Sequence, residues 1–264
     1  MKKDEFVEFE GGKYKRTNTE ICFHNFETGY TYPKDPAFPE DLINRGYVEI
    51  DKNILPVVVA LNKKGFKTSH SCGGHLLMPD IDTIKNSFAF KKLLEGDIDY
   101  IDYLFDMVYY VNIDHMYISF QDIDSLKSKQ IFSAFNNCTR CNIYKRINSI
   151  ADWNYDKEAC EECNKIPREG IKLVESLSIY AHFQDSCPYI MDGYFKYNDK
   201  ENYNRYVDNY KEAHDEIAVQ RSLLNIVDYM QEKIGFIKLQ YDLWQQDMIM
   251  QMMKAVDQLF DMSE

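Results

Sequence analysis

The stretch Asp51-Lys52-Asn53-Ile54-Leu55-Pro56-Val57-Val58-Val59-Ala60-Leu61-Asn62-Lys63-Lys64-Gly65-Phe66-Lys67-Thr68-Ser69-His70-Ser71-Cys72-Gly73-Gly74-His75 decides the fold class. Its first half predicts a helix over 51–64. Asp51 or Asn53 can cap it, and Pro56 falls in the first turn, where a missing N–H costs little. Ile54, Val57, Val58 and Leu61 recur at the i, i+3, i+4, i+7 spacing of one buried face. Lys63 and Lys64 suit the negative end of the helix dipole, and Gly65 can take a left-handed exit. A strand over Phe66–Ser71 follows, closed by the turn Cys72-Gly73-Gly74-His75. A helix feeding directly into a strand predicts a mixed α/β module. Met116–Phe120, bounded by Asp114 and Asp122, is the strand expected to pair with it.

Outward from this core, residues 1–50 read as short strands and loops, with a proline-punctuated loop around Pro33, Pro36 and Pro39. Residues 80–111 read as helical with a break near Gly96-Asp97. The period of Ile171–Phe183 leaves strand and helix both open. Residues 200–234 predict one long helix with a heptad-like seam through Tyr203, Tyr206, Tyr210, Ala213, Ile217, Gln220, Leu224, Val227, Gln231 and Ile234. Gly235 is expected to break it. A second helix then runs over 236–262, with Leu239, Leu243, Met250, Met253 and Phe260 among its apolar positions. Two such helices make either an antiparallel hairpin or a homodimer interface. The expected fold is α+β, with 1–128 as an α/β module, 129–170 as an inserted zinc segment, and 171–264 leading into a C-terminal helical hairpin.

The zinc segment is read from Cys138-Thr139-Arg140-Cys141 and Cys160-Glu161-Glu162-Cys163. The spacing C-x₂-C-x₁₈-C-x₂-C suits a tetrahedral site in which each knuckle offers two thiolates. A Cys₄ shell is closed, so this zinc would be structural rather than catalytic. Cys22-Phe23-His24 and Cys72-Gly73-Gly74-His75 hold two further thiols and two imidazoles, the material for a second metal site.

The net charge of −12 is uneven. Residues 1–77 carry 11 basic and 11 acidic side chains, residues 78–125 carry 3 and 10, and residues 201–264 carry 6 and 12. Residues 127–172 carry 9 basic against 6 acidic side chains. An acidic chain is a poor general binder of phosphate backbones, which leaves the zinc segment as the one place for nucleic acid. No apolar run approaches the length of a membrane span, and the first residues lack the apolar core of a signal peptide. Seven cysteines, four of them at metal spacing, point to a reducing cytoplasm.

The candidate ligand site is Thr68, Ser69, His70, Ser71, Cys72 and His75. Two glycines let the backbone turn and present amides beside hydroxyls and imidazoles, which makes a nest for an anion or polar ligand. The plainer alternative is a tight turn whose polar groups are satisfied locally by backbone. Cys72 as a nucleophile would need His70 or His75 as its base, with no orienting carboxylate evident. No catalytic residue is assigned on this basis. The aromatic run Tyr180, Phe183, Tyr189, Tyr194, Phe195, Tyr197 and Tyr203 could stack on bases, but few cations accompany it and packing is the better account.

Ile54-Leu55-Pro56, Leu61-Asn62 and Phe66 to His75 resemble a motif of the third wybutosine-synthesis enzyme family, whose members are S-adenosylmethionine-dependent tRNA methyltransferases. Gly65-Phe66-Lys67-Thr68, Ser71-Cys72-Gly73-Gly74-His75 and Tyr117-Ile118-Ser119-Phe120 are more similar to the "GYKT", "SC-x-GH" and "YI-x-F" pattern of uncharacterised proteins from phages and low-GC Gram-positive bacteria. The resemblance covers residues 46–120. It implies an α/β module with a ligand pocket at Ser69, Ser71, Cys72 and His75. His75 stands where the methyltransferase family has arginine, and His70 where it has serine, which weakens the implication of methyl transfer. Three functions follow, ranked. The first is a phage-type binding protein in a bacterial host cell, holding a small polar or nucleotide-like ligand without turnover. The second is an adaptor or inhibitor that engages a host or phage protein through its acidic helices and zinc loop. The third is a methyltransferase acting on RNA.

Overall fold

The structure, a computed structural model, describes residues 6–9, 12–16, 20–32, 39–107, 116–120, 123–135, 141–148, 174–181, 183 and 194–260. From the N-terminus, β1 (Phe6–Phe9), β2 (Gly12–Arg16), β3 (Ile21–His24) and β4 (Thr31–Tyr32) precede α1 (Pro39–Asn44) and β5 (Val48–Asp51). The stretch quoted above forms α2 (Leu55–Lys63) and β6 (Thr68–Cys72), followed by β7 (Leu77–Pro79). Then come α3 (Ile81–Asn86), α4 (Phe88–Leu94), α5 (Ile101–Asp106), β8 (Met116–Phe120), α6 (Ser125–Phe135), β9 (Cys141–Asn148) and β10 (Val174–Ala181). Three helices follow: α7 (Tyr194–Asn198), α8 (Lys200–Lys211) and α9 (Glu216–Asp257). The α+β class is therefore as expected, and no helix among the described residues is long and apolar enough to cross a membrane.

The chain divides into two compact units, each gathered from three stretches. One comprises Met1–Thr19, Gly74–Asp114 and Phe183–Gln246; the other comprises Glu20–Gly73, His115–His182 and Asp247–Glu264. The units cut across the linear partition at 128 and 170, because strands and helix halves distant in sequence share each core. In the first unit, β1, β2 and β7 form an antiparallel sheet. Helices α3, α4, α5, α7 and α8 belong to this unit with the first part of α9. Tyr210 of α8 donates to the Leu93 carbonyl of α4 at 2.6 Å, and the Tyr203 hydroxyl donates to Asp102 of α5.

The second unit holds two sheets, ordered β4-β3-β5 and β6-β8-β10-β9, with every pairing antiparallel. Ile54, Val57, Val58 and Leu61 are all buried, as the helical spacing of the quoted stretch predicts. Gly65 leaves α2 at φ 81°, the left-handed exit. β6 pairs with β8, with a bulge between Thr68 and His70, so the expected strand pair is present, shifted by two residues at its start. Where strand and helix were both open, Val174–Ala181 forms a strand, β10, whose Leu177, Ile179 and Ala181 are buried while Ser178 and Tyr180 alternate with them.

The C-terminal hairpin is overturned. α8 stops at Lys211, and Asp215 restarts the chain as the N-cap of α9 by accepting the Ala218 N–H at 2.7 Å. α9 then runs unbroken for 42 residues, through Gly235. An isolated helical glycine costs about 1 kcal/mol against alanine, too little to break a helix with a long buried face. That face carries Leu223, Ile226, Met230, Ile237, Tyr241 and Trp244 in the first unit, then Met248, Met252 and Val256 in the second. Of the expected seam, Tyr210, Val227 and Ile234 are buried and Ile217 is exposed, while Leu239, Leu243, Met250 and Phe260 of the expected second helix are exposed.

Candidate functional site

β5 and β6 bring the site together. Asp51 ends β5, and Cys72 ends β6. Neither Asp51 nor Asn53 caps α2, whose N-cap is Ile54 with no side-chain bond. Both reach instead to the turn after β6. Asp51 Oδ2 accepts the Gly73 N–H at 2.7 Å, and Asn53 Nδ2 donates to the Gly73 carbonyl at 2.8 Å. One carboxylate and one amide thus grip the N–H and the C=O of a single residue. Gly73 is required sterically: a Cβ there would sit 1.8 Å from Asn53 Oδ1. Gly74 follows at φ 81°, a conformation glycine adopts without penalty. Its carbonyl accepts from the buried Gln245 at 3.2 Å.

The six predicted ligand residues do not converge on one point. Thr68 lies at the far end of β6, about 13 Å from Cys72 at the rise of a strand. Asn62 of α2 donates to its hydroxyl at 2.8 Å and accepts its N–H at 3.3 Å. Thr68 therefore ties α2 to the strand. The bulge places Ser69 opposite no single partner. His70 pairs with Ser119, Ser71 with Ile118 and Cys72 with Tyr117, so His70 and Cys72 share a face with Ser119 and Tyr117, while Ser71 shares the face of buried Ile118. His75, three residues past Cys72 in the same turn, is 4% exposed.

The sheet face that carries Cys72 and His70 is half-exposed and polar-aromatic. The row across it reads Cys72, Tyr117, Tyr180 on β6, β8 and β10. The rings of Tyr117 and Tyr180 stand 5.8 Å apart, tilted by 30°. In the adjacent row, the Ser119 and Ser178 hydroxyls hydrogen-bond at 2.8 Å.

At the ends of β5 and β6, Asp51 and Cys72 each offer one ligand atom, and the two atoms lie within 4.8 Å of each other. Cys22 and His24, which with Cys72 and His75 offer the material for a second metal site, each have a partner of their own. Cys22 is buried and donates to the Ile50 carbonyl at 3.3 Å, with burial and the Asp51 charge holding its thiol above the usual range. His24 Nδ1 lies 2.8 Å from the Thr31 hydroxyl. Asn53 Oδ1, beside Gly73, is buried without a hydrogen-bond partner. Its Nδ2 bond to the Gly73 carbonyl fixes which end of the amide is oxygen.

Of the zinc-segment residues, Cys138, Cys160 and Cys163 lie outside the described residues. Cys141 is described only as backbone, opening β9 opposite Ala181. Asp51, Asn53, Tyr117 and Tyr180 are the members that residue-by-residue reading missed or placed elsewhere. The signal for the tyrosines was alternation within Tyr117-Ile118-Ser119-Phe120, which sets them on the open face. No family model, curated protein or solved structure matches the chain.

Proposed function

We propose that the open face of the β6-β8-β10-β9 sheet, with the turn that ends β6, binds a small polar, nucleotide-like ligand without turnover. The observation that carries this reading is the paired rings of Tyr117 and Tyr180 in one row with Cys72. Aromatic faces next to backbone amides and hydroxyls suit a planar base at one end and polar substituents at the other. The Ser119–Ser178 hydroxyl pair adds donors and acceptors on the same face. The absence of turnover is part of the proposal: no nucleophile–base–orienter relay has been assigned to this face. A Cys₄ zinc at Cys138, Cys141, Cys160 and Cys163 remains a proposed structural support of the same chain.

Titration calorimetry of the full chain against nucleoside mono- and triphosphates and cyclic dinucleotides tests the reading. We expect at least one to bind, and Tyr117→Ala to weaken it tenfold or more, the scale of about 1–3 kcal/mol per stacked base. A chain that binds none, or a Tyr117→Ala variant with unchanged affinity, overturns it.

A second reading, a homodimer, draws on α9. Phe236, Leu239, Leu243 and Met250 are exposed at intervals of three, four and seven residues, the repeat of a helix-pairing seam. Here the partner would be a second copy of this chain. Sedimentation equilibrium should show a dimer that Leu239→Glu with Leu243→Glu converts to monomer; a monomer throughout removes this reading.

A further inference from the structure

The first unit buries one side of α4 and α5 and leaves aromatic rings on the other. Ser87 caps α4 by accepting the Phe90 N–H at 3.1 Å, which makes Phe88 the first residue of the helix. Ala89, Phe90 and Leu93 are buried, whereas Phe88 is 64% exposed. In α5, Ile101, Leu104 and Phe105 are buried, whereas Tyr103 is 60% exposed. Tyr100, half-buried, ends the short 3₁₀ turn Ile98–Tyr100 between the two helices. Its ring meets both of the others. It stands 5.3 Å from Phe88, edge-on at 81°, and 5.7 Å from Tyr103, tilted by 38°. Single exposed apolar side chains are ordinary, but three rings in series form a patch. Each helix already gives the core its own buried residues, so packing does not account for the outer rings.

The charge around the rings is negative. Residues 87–106 carry five carboxylates and two lysines. Glu95 pairs with Lys92 at 2.6 Å, and Asp102 pairs with Lys196 at 2.6 Å and accepts the Tyr203 hydroxyl. Asp97 and Asp99, both exposed, lead into the turn that ends at Tyr100, and Asp97 accepts the Asp99 N–H at 3.4 Å. Neither makes an ion pair with a described residue.

Lys92 shows what such a surface does with a cation. Its Nζ lies 5.6 Å from the centre of the Phe88 ring while it pairs with Glu95. The hydrogen bond and charge of Glu95, then the weaker fields of Tyr100 and Asp97, hold this ammonium above the usual lysine range. One lysine of the chain itself thus takes Phe88 and Glu95. Tyr100 and Tyr103, with Asp97 and Asp99, are left for a cation from outside. A nucleic acid would be repelled by these carboxylates, and a wholly apolar partner would bury them unpaired. Guanidinium answers both features, because its plane stacks on a ring and its fork pairs with a carboxylate.

We infer that the Phe88–Tyr100–Tyr103 patch docks an arginine-rich segment of a partner protein, its guanidinium groups stacked on the rings and paired with Asp97 and Asp99. This surface is separate from the sheet face proposed to bind a nucleotide-like ligand, and neither reading depends on the other.

The test is fluorescence anisotropy of the full chain with two labelled peptides at physiological ionic strength, one alternating arginine with glycine and the other lysine with glycine. A chain of net charge −12 attracts any polycation, so the rings decide the matter: removing them leaves the charge unchanged. The arginine peptide should bind more tightly than the lysine peptide. Phe88→Ala with Tyr103→Ala should weaken the arginine peptide about fivefold or more, the scale of two exposed cation–π contacts. Asp97→Asn with Asp99→Asn should weaken it as well. No binding of the arginine peptide, equal affinity for the two peptides, or an unchanged affinity in the ring variant overturns the inference, the last by showing general attraction to an acidic chain. Where the double ring variant fails to fold, Tyr103→Leu keeps an apolar side chain and removes the aromatic face. It should still weaken the arginine peptide, and unchanged affinity there overturns the inference too.

Discussion

Gly73 is gripped at both ends, by Asp51 at its N–H and Asn53 at its carbonyl, and has no room for a methyl group. Gly73→Ala should therefore destabilise the chain by roughly 2 kcal/mol or more, since the clash is with a held amide and not a free side-chain end. The urea midpoint measures it. Adding Asn53→Ala should recover part of the loss, because the two changes meet at one contact and are not additive. His24 gives a second residue-scale prediction. Burial, then the charge of Lys63, holds its imidazole below the ordinary histidine range. The unfolded chain accepts a proton near pH 6.5; the folded chain resists it. Stability should thus fall as pH drops from about 7 through the unfolded value, and level off below the folded one. His24→Gln should lose less stability than the unaltered chain between pH 8 and 5; an identical loss would show that His24 is not the group responsible. At this scale the Cys-Gly-Gly-His turn was legible in the sequence, and its partners were not. A helix cap and a turn clamp use the same Asp and Asn chemistry, so Asp51 and Asn53 read as caps of the helix next to them.

At the scale of elements, α2 and the β6–β8 pair were legible because one period and one burial face agreed along each. α9 was not, because it carries apolar residues around most of its circumference. Leu239, Leu243 and Met250 are as apolar as Ile237, Tyr241 and Met248, yet only the second set is buried. Periodicity identifies a stripe without saying which stripe meets the core. Gly235 sharpened the error by offering a natural place for a bend. Its Cβ position faces open space, and it is absent from the glycines with positive φ. In a continuous helix, Gly235→Ala should then raise stability by about 0.5–1 kcal/mol. In a hairpin, with Gly235 in the bend, the same substitution would lower it. Denaturant midpoints of the two proteins distinguish these outcomes by sign, which is a firmer test than magnitude.

For the whole molecule, the linear order of segments is a poor guide to what folds with what. Each compact unit takes residues from the N-terminal half, the middle and the C-terminal end of the chain. Nothing in the linear pattern announces this, since local patterns report elements and not the long-range pairing that assembles them. A consequence concerns deletion of residues 200–264. If the N-terminal half were a separate module, the remainder would stay folded. Yet the second unit would lose Met248, Met252, Ala255, Val256 and Leu259, all buried. The first would lose Val207, Tyr210 and the buried face of α9 down to Trp244. Burying one large apolar side chain contributes about 1.5–3 kcal/mol, and whole domains are stable by only about 5–15 kcal/mol. Four or five such losses in each unit, about 6–15 kcal/mol, are as large as that whole margin. Residues 1–199 expressed alone should show no cooperative urea transition by circular dichroism and should be cut throughout by a nonspecific protease. A sharp transition in that fragment would mean that one unit stands without α9, and that its buried side chains on this helix contribute far less than their burial implies.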